Sequence, residues 1–223
     1  MLSQTEENYL KAIFKIGEKN PGSVTTNAIA ASMETKAASV TDMLKRLSDK
    51  ALINYEKYKG VQLTAKGEKV AKNLIRKHRL WEVFLVEKLH FNWDQVHEIA
   101  EQLEHIHSPD LTNKLEDFLG YPKYDPHGDP IPDQNGNIVY PSEKSLSDLD
   151  DGEKGILVGV KDSSPQFLQY LDKINISLGS LIKVKVKYEY DGSREVIIDD
   201  KKEFMVTEQV AKNLYIKVKN DKK

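Results

Sequence analysis

Apolar residues recur at helical spacing up to residue 119 and then, from about residue 155, at the spacing of short strands. In QTEENYLKAIFKIGE, residues 4–18, Tyr9, Leu10, Ile13, Phe14 and Ile16 predict a first helix. After NPGS, the run TTNAIAASM predicts a short second helix with Thr26 or Asn27 as its cap and Ile29, Ala30 and Met33 as its apolar residues. A third helix follows ETK, with Val40, Met43, Leu44 and Leu47 in one stripe and Ser39, Thr41, Asp42, Lys45 and Arg46 outside it. INYEKYKGVQLTAKG reads as two short strands about KYKG, and Thr64 caps a helix that continues through residue 89. VHEIAEQLEHIHSPD, residues 96–110, wound as a helix puts Val96, Ile99, Leu103 and Ile106 on one side and His97, Glu101, Glu104 and His105 on the other. Ser108 then caps a helix carrying Leu111, Leu115, Phe118 and Leu119.

YPKYDPHGDPIPDQNGN, residues 121–137, is too rich in Pro, Gly and Asp for a regular element. Beyond it, GILVGV, SLIKVKVKYEYDGSREVIID, KEFMV and LYIKVK predict strands, with Asp191 and Gly192 in a hairpin turn and a short helix at SPQFLQYLDKI. The fold class is therefore mainly α with a small β part. We expect a winged helix-turn-helix over residues 1–72, a helical domain over 73–141 and a small β-barrel over 150–220. The helices of the middle block carry more apolar surface than one small bundle buries, which predicts a homodimer.

Charge divides the chain in the same way. Residues 1–80 hold 15 Lys+Arg against 8 Asp+Glu, net +7; residues 81–150 hold 4 against 15, net −11; residues 151–223 hold 14 against 12, net +2. A basic winged helix fits double-stranded DNA: the third helix enters the major groove and the wing rests on phosphate. Lys36, Ala38, Ser39 and Thr41 are the candidates for base edges or nearby phosphates, and Lys57 and Lys59 for wing contacts. A dimer suits a palindromic operator. No run is apolar enough for a membrane span and the N-terminus lacks signal-peptide order, so the expected location is the cytoplasm. With no cysteine, a metal site would consist of His, carboxylates, amides and water.

Glu101, Glu104 and His105 stand at i, i+3 and i+4, a spacing that converges two carboxylates and an imidazole beside the helix. The helix before it repeats the pattern with His78 and Glu82, four residues apart, and His97 lies one turn before Glu101. One such pair is commonly a solvated ion pair. Two adjacent helices carrying it, in the most acidic block, point to divalent cations.

ENYLKAIFKI, ASVTDMLKRLSDKALI, LTAKGEKVA, RKHRLWEVFLVEKL and VHEIAEQLEHIHSPDLTNKLEDFLG, in this order and spacing, resemble the diphtheria toxin repressor family of metal-dependent transcriptional repressors. The C-terminal block resembles the SH3-like (FeoA-like) domain of its longer members. The resemblance implies a primary metal site at Glu101, Glu104 and His105 with a first-helix position, here Asn8, and departs at Lys11 from the pattern of those manganese-type members that carry Glu there. It implies a second site at His78, Glu82 and His97, with Asp162 or Gln166 from the third domain and Asp125 and His127 from the proline-rich loop. A carboxylate at 101 in place of the iron-type Cys favours Mn²⁺, with Fe²⁺ as the other candidate. The expected function is metal-activated repression of metal-uptake genes, without catalysis. The alternatives are a helix-bundle dimetal carboxylate enzyme and a metal-independent winged-helix protein.

Overall fold

The computed structural model describes residues 2–19, 22, 24–56, 60–140 and 144–218. Helix α1 (Gln4–Lys19) is opened by a reciprocal cap, in which Ser3 N donates to Glu6 Oε2 at 3.0 Å and Glu6 N donates to Ser3 Oγ at 3.2 Å. Helix α2 (Thr26–Ser32) starts one residue earlier than its composition suggests. Thr25, still extended, accepts from Ala28 N at 3.1 Å, so Thr26 is already helical and Asn27 lies inside. A turn through Glu34, at φ 48°, leads into α3 (Ala37–Asp49), which buries the stripe Val40, Leu44 and Leu47. Strands β1 (Ile53–Glu56) and β2 (Gly60–Leu63) pair antiparallel, and Val24 bridges to Val61 beside them. The core of this unit joins Leu10, Ile13, Ile29, Val40, Leu44, Ile53 and Val61.

Thr64 caps the 23-residue helix α4 (Ala65–Glu87) by accepting from Gly67 N at 3.1 Å. At about 1.5 Å per residue this helix is a rod of about 34 Å, and it crosses the expected boundary at residue 72. Its Ala71 and Ile75 belong to the winged-helix core, whereas its Leu85 packs with Val96 and Ala100 of α5 (Val96–Leu103). Helix α5 ends at Leu103, with Glu104 as its C-cap, and the chain leaves the helix before Ser108. Pro109 keeps Ser108 extended (φ −136°, ψ 97°), and Ser108 caps α6 (Pro109–Phe118) by accepting from Leu111 N at 3.2 Å. Leu111 and Phe118 remain 40% and 64% exposed, together with Leu89, Phe91 and Tyr121, so the surplus apolar surface expected of these helices is present on the single chain.

Residues 121–137 form no regular element beyond a bridge between Tyr124 and Pro130. Aspartates fold them instead: Asp125 Oδ1 accepts from His127 N at 2.8 Å and from Asp129 N at 3.0 Å. The third unit contains β3 (Lys144–Ser145), a 3₁₀ turn (Leu146–Asp148), β4 (Lys154–Val160), α7 (Pro165–Lys173), β5 (Leu181–Lys187), β6 (Arg194–Ile198), β7 (Lys202–Val206), α8 (Glu208–Ala211) and β8 (Leu214–Val218). Its strands form an antiparallel SH3-like sheet in the order β3-β8-β4-β5-β6-β7 around Leu157, Leu168, Ile182, Val196 and Ile216. The β5–β6 connection takes residues 188–193, closed by Gly192 N donating to Tyr188 O at 2.9 Å, so Asp191 and Gly192 sit in a longer loop than a two-residue hairpin turn.

This unit is docked on the helices through the 121–137 loop. Val160 N donates to His127 O at 2.8 Å, Trp93 Nε1 reaches Asp172, with both carboxylate oxygens at 3.1 Å, and Gln169 donates to Asp94 at 2.8 Å. Among the described residues no helix is long and apolar enough to cross a membrane.

Candidate metal centre

Three segments meet at Glu82. From α4, His78 lies one turn away, with Nε2 3.0 Å from Glu82 Oε1; from α5, His97 Nδ1 stands 3.3 Å from the same oxygen and 3.2 Å from His78 Nε2. From the proline-rich loop, His127 Nδ1 is 3.6 Å from Glu82 Oε2, with Asp125 Oδ1 at 4.0 Å from the same ring nitrogen. Among the described residues, two groups of three bring a donor atom each within 4.8 Å of one another: His78, Glu82 and His97, and Glu82, Asp125 and His127. Glu82 belongs to both. The cavity between them measures about 30 Å³, room enough for a water-sized sphere. Lys15 and Arg79 also reach its wall; burial, then the charges of Lys11 and Arg79, push Lys15 below its ordinary pKa.

The electrostatics follow from burial and partners. Burial acts against the Glu82 carboxylate, but hydrogen bonds with His127, His78 and His97 outweigh it and hold the group well below the usual carboxylate range. Burial likewise opposes the His127 imidazolium, yet Glu82 and Asp125 prevail and raise it to about 9. Asp125 is pushed up to about 7 by burial first, then by the charges of Glu82 and Asp129. His78 is raised despite burial because Glu104 and Glu82 face its ring. The cluster thus gathers His and carboxylate donors about a small cavity, a donor set with no sulfur that suits Mn²⁺, Fe²⁺ and other borderline or hard cations.

Glu101 and Glu104 do converge on one point, since Glu104 continues the helical turn with its N–H bonded to Ala100 O, but the Lys11 ammonium occupies that point. Glu104 is fully buried: its Oε2 lies 2.6 Å from His78 Nδ1, and its Oε1 accepts from Lys11 Nζ at 2.6 Å. Glu101, about half exposed, accepts from the same ammonium at 3.3 Å. His105 turns to α1, where its Nδ1 is 2.7 Å from Glu7 Oε2, and its Nε2 is 3.8 Å from Glu104 Oε1. The repulsion expected between Glu101 and Glu104 is met by Lys11. Asn8 lies one turn before Lys11, and its buried Oδ1 has no hydrogen-bond partner.

The loop residue Asp162 spends Oδ1 on Ser164 N at 2.9 Å and stands outside both donor groups, while Gln166 is exposed on α7. Two residues absent from the reading of the sequence matter here. Glu7 holds His105, and Arg79 anchors the loop by pairing with Asp129 at 3.2 Å and Asp125 at 3.5 Å and by donating to Pro130 O. The run RKHR could have flagged Arg79 as a cation beside the acidic loop; no local pattern pairs Glu7 with a histidine 98 residues later.

At the other end of the molecule, Lys36 is the extended N-cap of α3, and Lys36, Ala38 and Ser39 are exposed. Thr41 is half-buried and its hydroxyl donates to Ala37 O at 3.0 Å. Lys57 and Lys59 lie outside the described residues.

Three family models match the chain in sequence: an iron dependent repressor N-terminal DNA binding domain over residues 1–61, an iron dependent repressor metal binding and dimerisation domain over 64–133, and a FeoA domain over 144–218. An uncharacterized HTH-type transcriptional regulator of Methanocaldococcus jannaschii is 35% identical over 118 residues, covering 53% of this chain and 94% of that protein. The HTH-type transcriptional regulator MntR of Oceanobacillus iheyensis is 32% identical over 125 residues, covering 56% and 84%. A solved manganese-dependent transcriptional repressor in complex with manganese superposes with a TM-score of 0.83 at 33% identity, covering 95% of this chain and 98% of that one. The fold is shared over nearly the whole length with that structure, the three family models cover the winged helix, the helical part and the SH3-like domain, and the chain belongs to the diphtheria toxin repressor family of dimeric, DNA-binding, metal-dependent transcriptional repressors.

Proposed function

We propose that this chain represses metal-uptake genes in the cytoplasm as a homodimer on a palindromic operator, with Mn²⁺ or Fe²⁺ as the signal held at the Glu82 cluster. The observation that carries this reading is the sharing of Glu82 by two donor groups contributed by α4, α5 and the proline-rich loop. His78, Glu82, His97, Asp125 and His127 would hold the ion. Bound there, a divalent cation supplies the charge that lets buried carboxylates of separate elements face one cavity.

The chain's own residues carry the signal onward. His78 touches Glu104, Glu104 touches Lys11 of α1, and α1 packs in the winged-helix core, so the cluster is linked by contacts to the DNA-binding unit. Recognition helices of a dimer must meet half-sites about 34 Å apart. Lys36, Ala38 and Ser39, exposed at the start of α3, would face the groove, with Thr41 behind them.

Duplexes selected from a random 30-base-pair pool with Mn²⁺ present supply the probe. Fluorescence anisotropy at fixed salt, with EDTA and then with Mn²⁺ or anaerobic Fe²⁺, is expected to show at least a tenfold gain with metal, a coupling of about 1.4 kcal/mol, and Glu82→Ala is expected to lose it. Metal-indifferent binding by the native chain would overturn the reading.

A further inference from the structure

Lys11 stands where a cation is needed and supplies one. Its ammonium, on a residue 6% exposed, contacts Glu104 Oε1 at 2.6 Å and Glu101 Oε1 at 3.3 Å. The other oxygen of Glu104 is 2.6 Å from His78 Nδ1, and His105 Nδ1 is engaged by Glu7 at 2.7 Å. Both oxygens of Glu104 and one nitrogen of His105 are therefore already committed. The remaining nitrogen of His105 lies 3.8 Å from Glu104 Oε1, the oxygen that Lys11 occupies. A divalent ion placed there would sit within contact range of the buried ammonium that already pairs with both carboxylates, and the two cations would repel. On α1, the position one turn before Lys11 is Asn8, a neutral amide that adds no carboxylate to attract an ion. The residues at this second locus do not fit a metal while Lys11 is in place.

We infer that Lys11 is a built-in substitute for an ion between α1 and the end of α5, so that Glu101, Glu104 and His105 hold no metal in this chain and metal sensing is confined to the Glu82 cluster. The inference deepens the proposed function and rests on it for the sensing role alone. Its consequence is physical: the bridge between the DNA-binding unit and the helical domain is present without metal. Removing the ammonium leaves two carboxylates and an imidazole nitrogen facing one another, a latent site.

The test is a count of ions. Native chain, Lys11→Met and Lys11→Gln are dialysed to equilibrium against Mn²⁺, and bound metal per chain is measured by mass spectrometry, with melting temperature in EDTA and in Mn²⁺ alongside. Each Lys11 variant is expected to bind one more ion per chain than the native protein, to melt lower in EDTA and to recover in Mn²⁺. Adding Glu101→Ala to Lys11→Met is expected to remove the extra ion. Equal counts in native and variant chains overturn the inference, whether the locus is empty in both or filled in both. A variant that melts lower without recovering in Mn²⁺ overturns it too, since Lys11 is then only a salt bridge. If Glu82→Ala in the native chain removes no ion while Lys11→Met still gains one, the proposed sensing site fails and the Lys11 assignment stands.

Discussion

Gly128 is where the proline-rich loop meets the third domain, and replacing it with alanine should loosen that junction. Its φ of +89° lies in the region where an L side chain is strained, at about 1–2 kcal/mol. An added Cβ would also stand 2.2 Å from Gly159 Cα and 2.3 Å from Val158 O, both backbone atoms of β4 that cannot rotate away. The loop must therefore back off from the strand, at the expense of the Val160 N to His127 O bond, worth about 1 kcal/mol. Together these weaken docking by about 3 kcal/mol, about a hundredfold in the docked-to-undocked ratio. Because the same loop carries Asp125 and His127, ion affinity at the Glu82 cluster should fall as well. Trp93, which reaches Asp172 across the junction, reports undocking by fluorescence in a Trp81→Phe background during a urea titration, and the paramagnetic resonance of free Mn²⁺ reports affinity. An unchanged Trp93 transition and unchanged Mn²⁺ affinity in Gly128→Ala would refute the close packing on which the argument rests.

Three further outcomes are expected. His127, raised to about 9, is protonated at pH 7 in the ion-free protein and must be neutral to ligate, so Mn²⁺ binding should release protons and tighten as pH rises toward 9; calorimetry in buffers of different ionisation enthalpy measures this, and a buffer-independent heat would contradict it. Phe118→Glu, a charge on the exposed apolar surface of α6, should shift the dimer to monomer in sedimentation velocity, whereas an intact dimer would place the interface elsewhere. Lys36→Ala should lower the slope of log affinity against log salt by about one if Lys36 contacts a phosphate, and an unchanged slope removes it from the interface.

The winged helix was legible in the linear pattern because its elements are short and locally specified. The Val40, Leu44 and Leu47 stripe and the caps at Thr64 and Ser108 are decided by side chains within four residues, and each recurs in the folded chain. The departures are equally local in cause: Thr25 takes the cap assigned to its neighbours, and α5 stops at Leu103, with Glu104 as its C-cap. The metal cluster was legible only in part. His78, Glu82 and His97 declare themselves by spacing on successive helices, but His127 joins them across a loop with no periodicity, through the turn closed by Asp125 and the backbone contact at Gly128.

The sequence by itself determined the order of the elements, the split of charge into a basic head and an acidic middle, and a donor set of His and carboxylate without sulfur, since composition and periodicity act over a turn or two. Which donors of separate elements meet was decided by tertiary structure. A carboxylate gains its partner from whatever element packs against it, so Glu104 found Lys11, 93 residues away, and Glu82 found His127. Those long-range pairings, set by the packing of α1 and the loop on α4, separate a residue that holds an ion from one that takes its place.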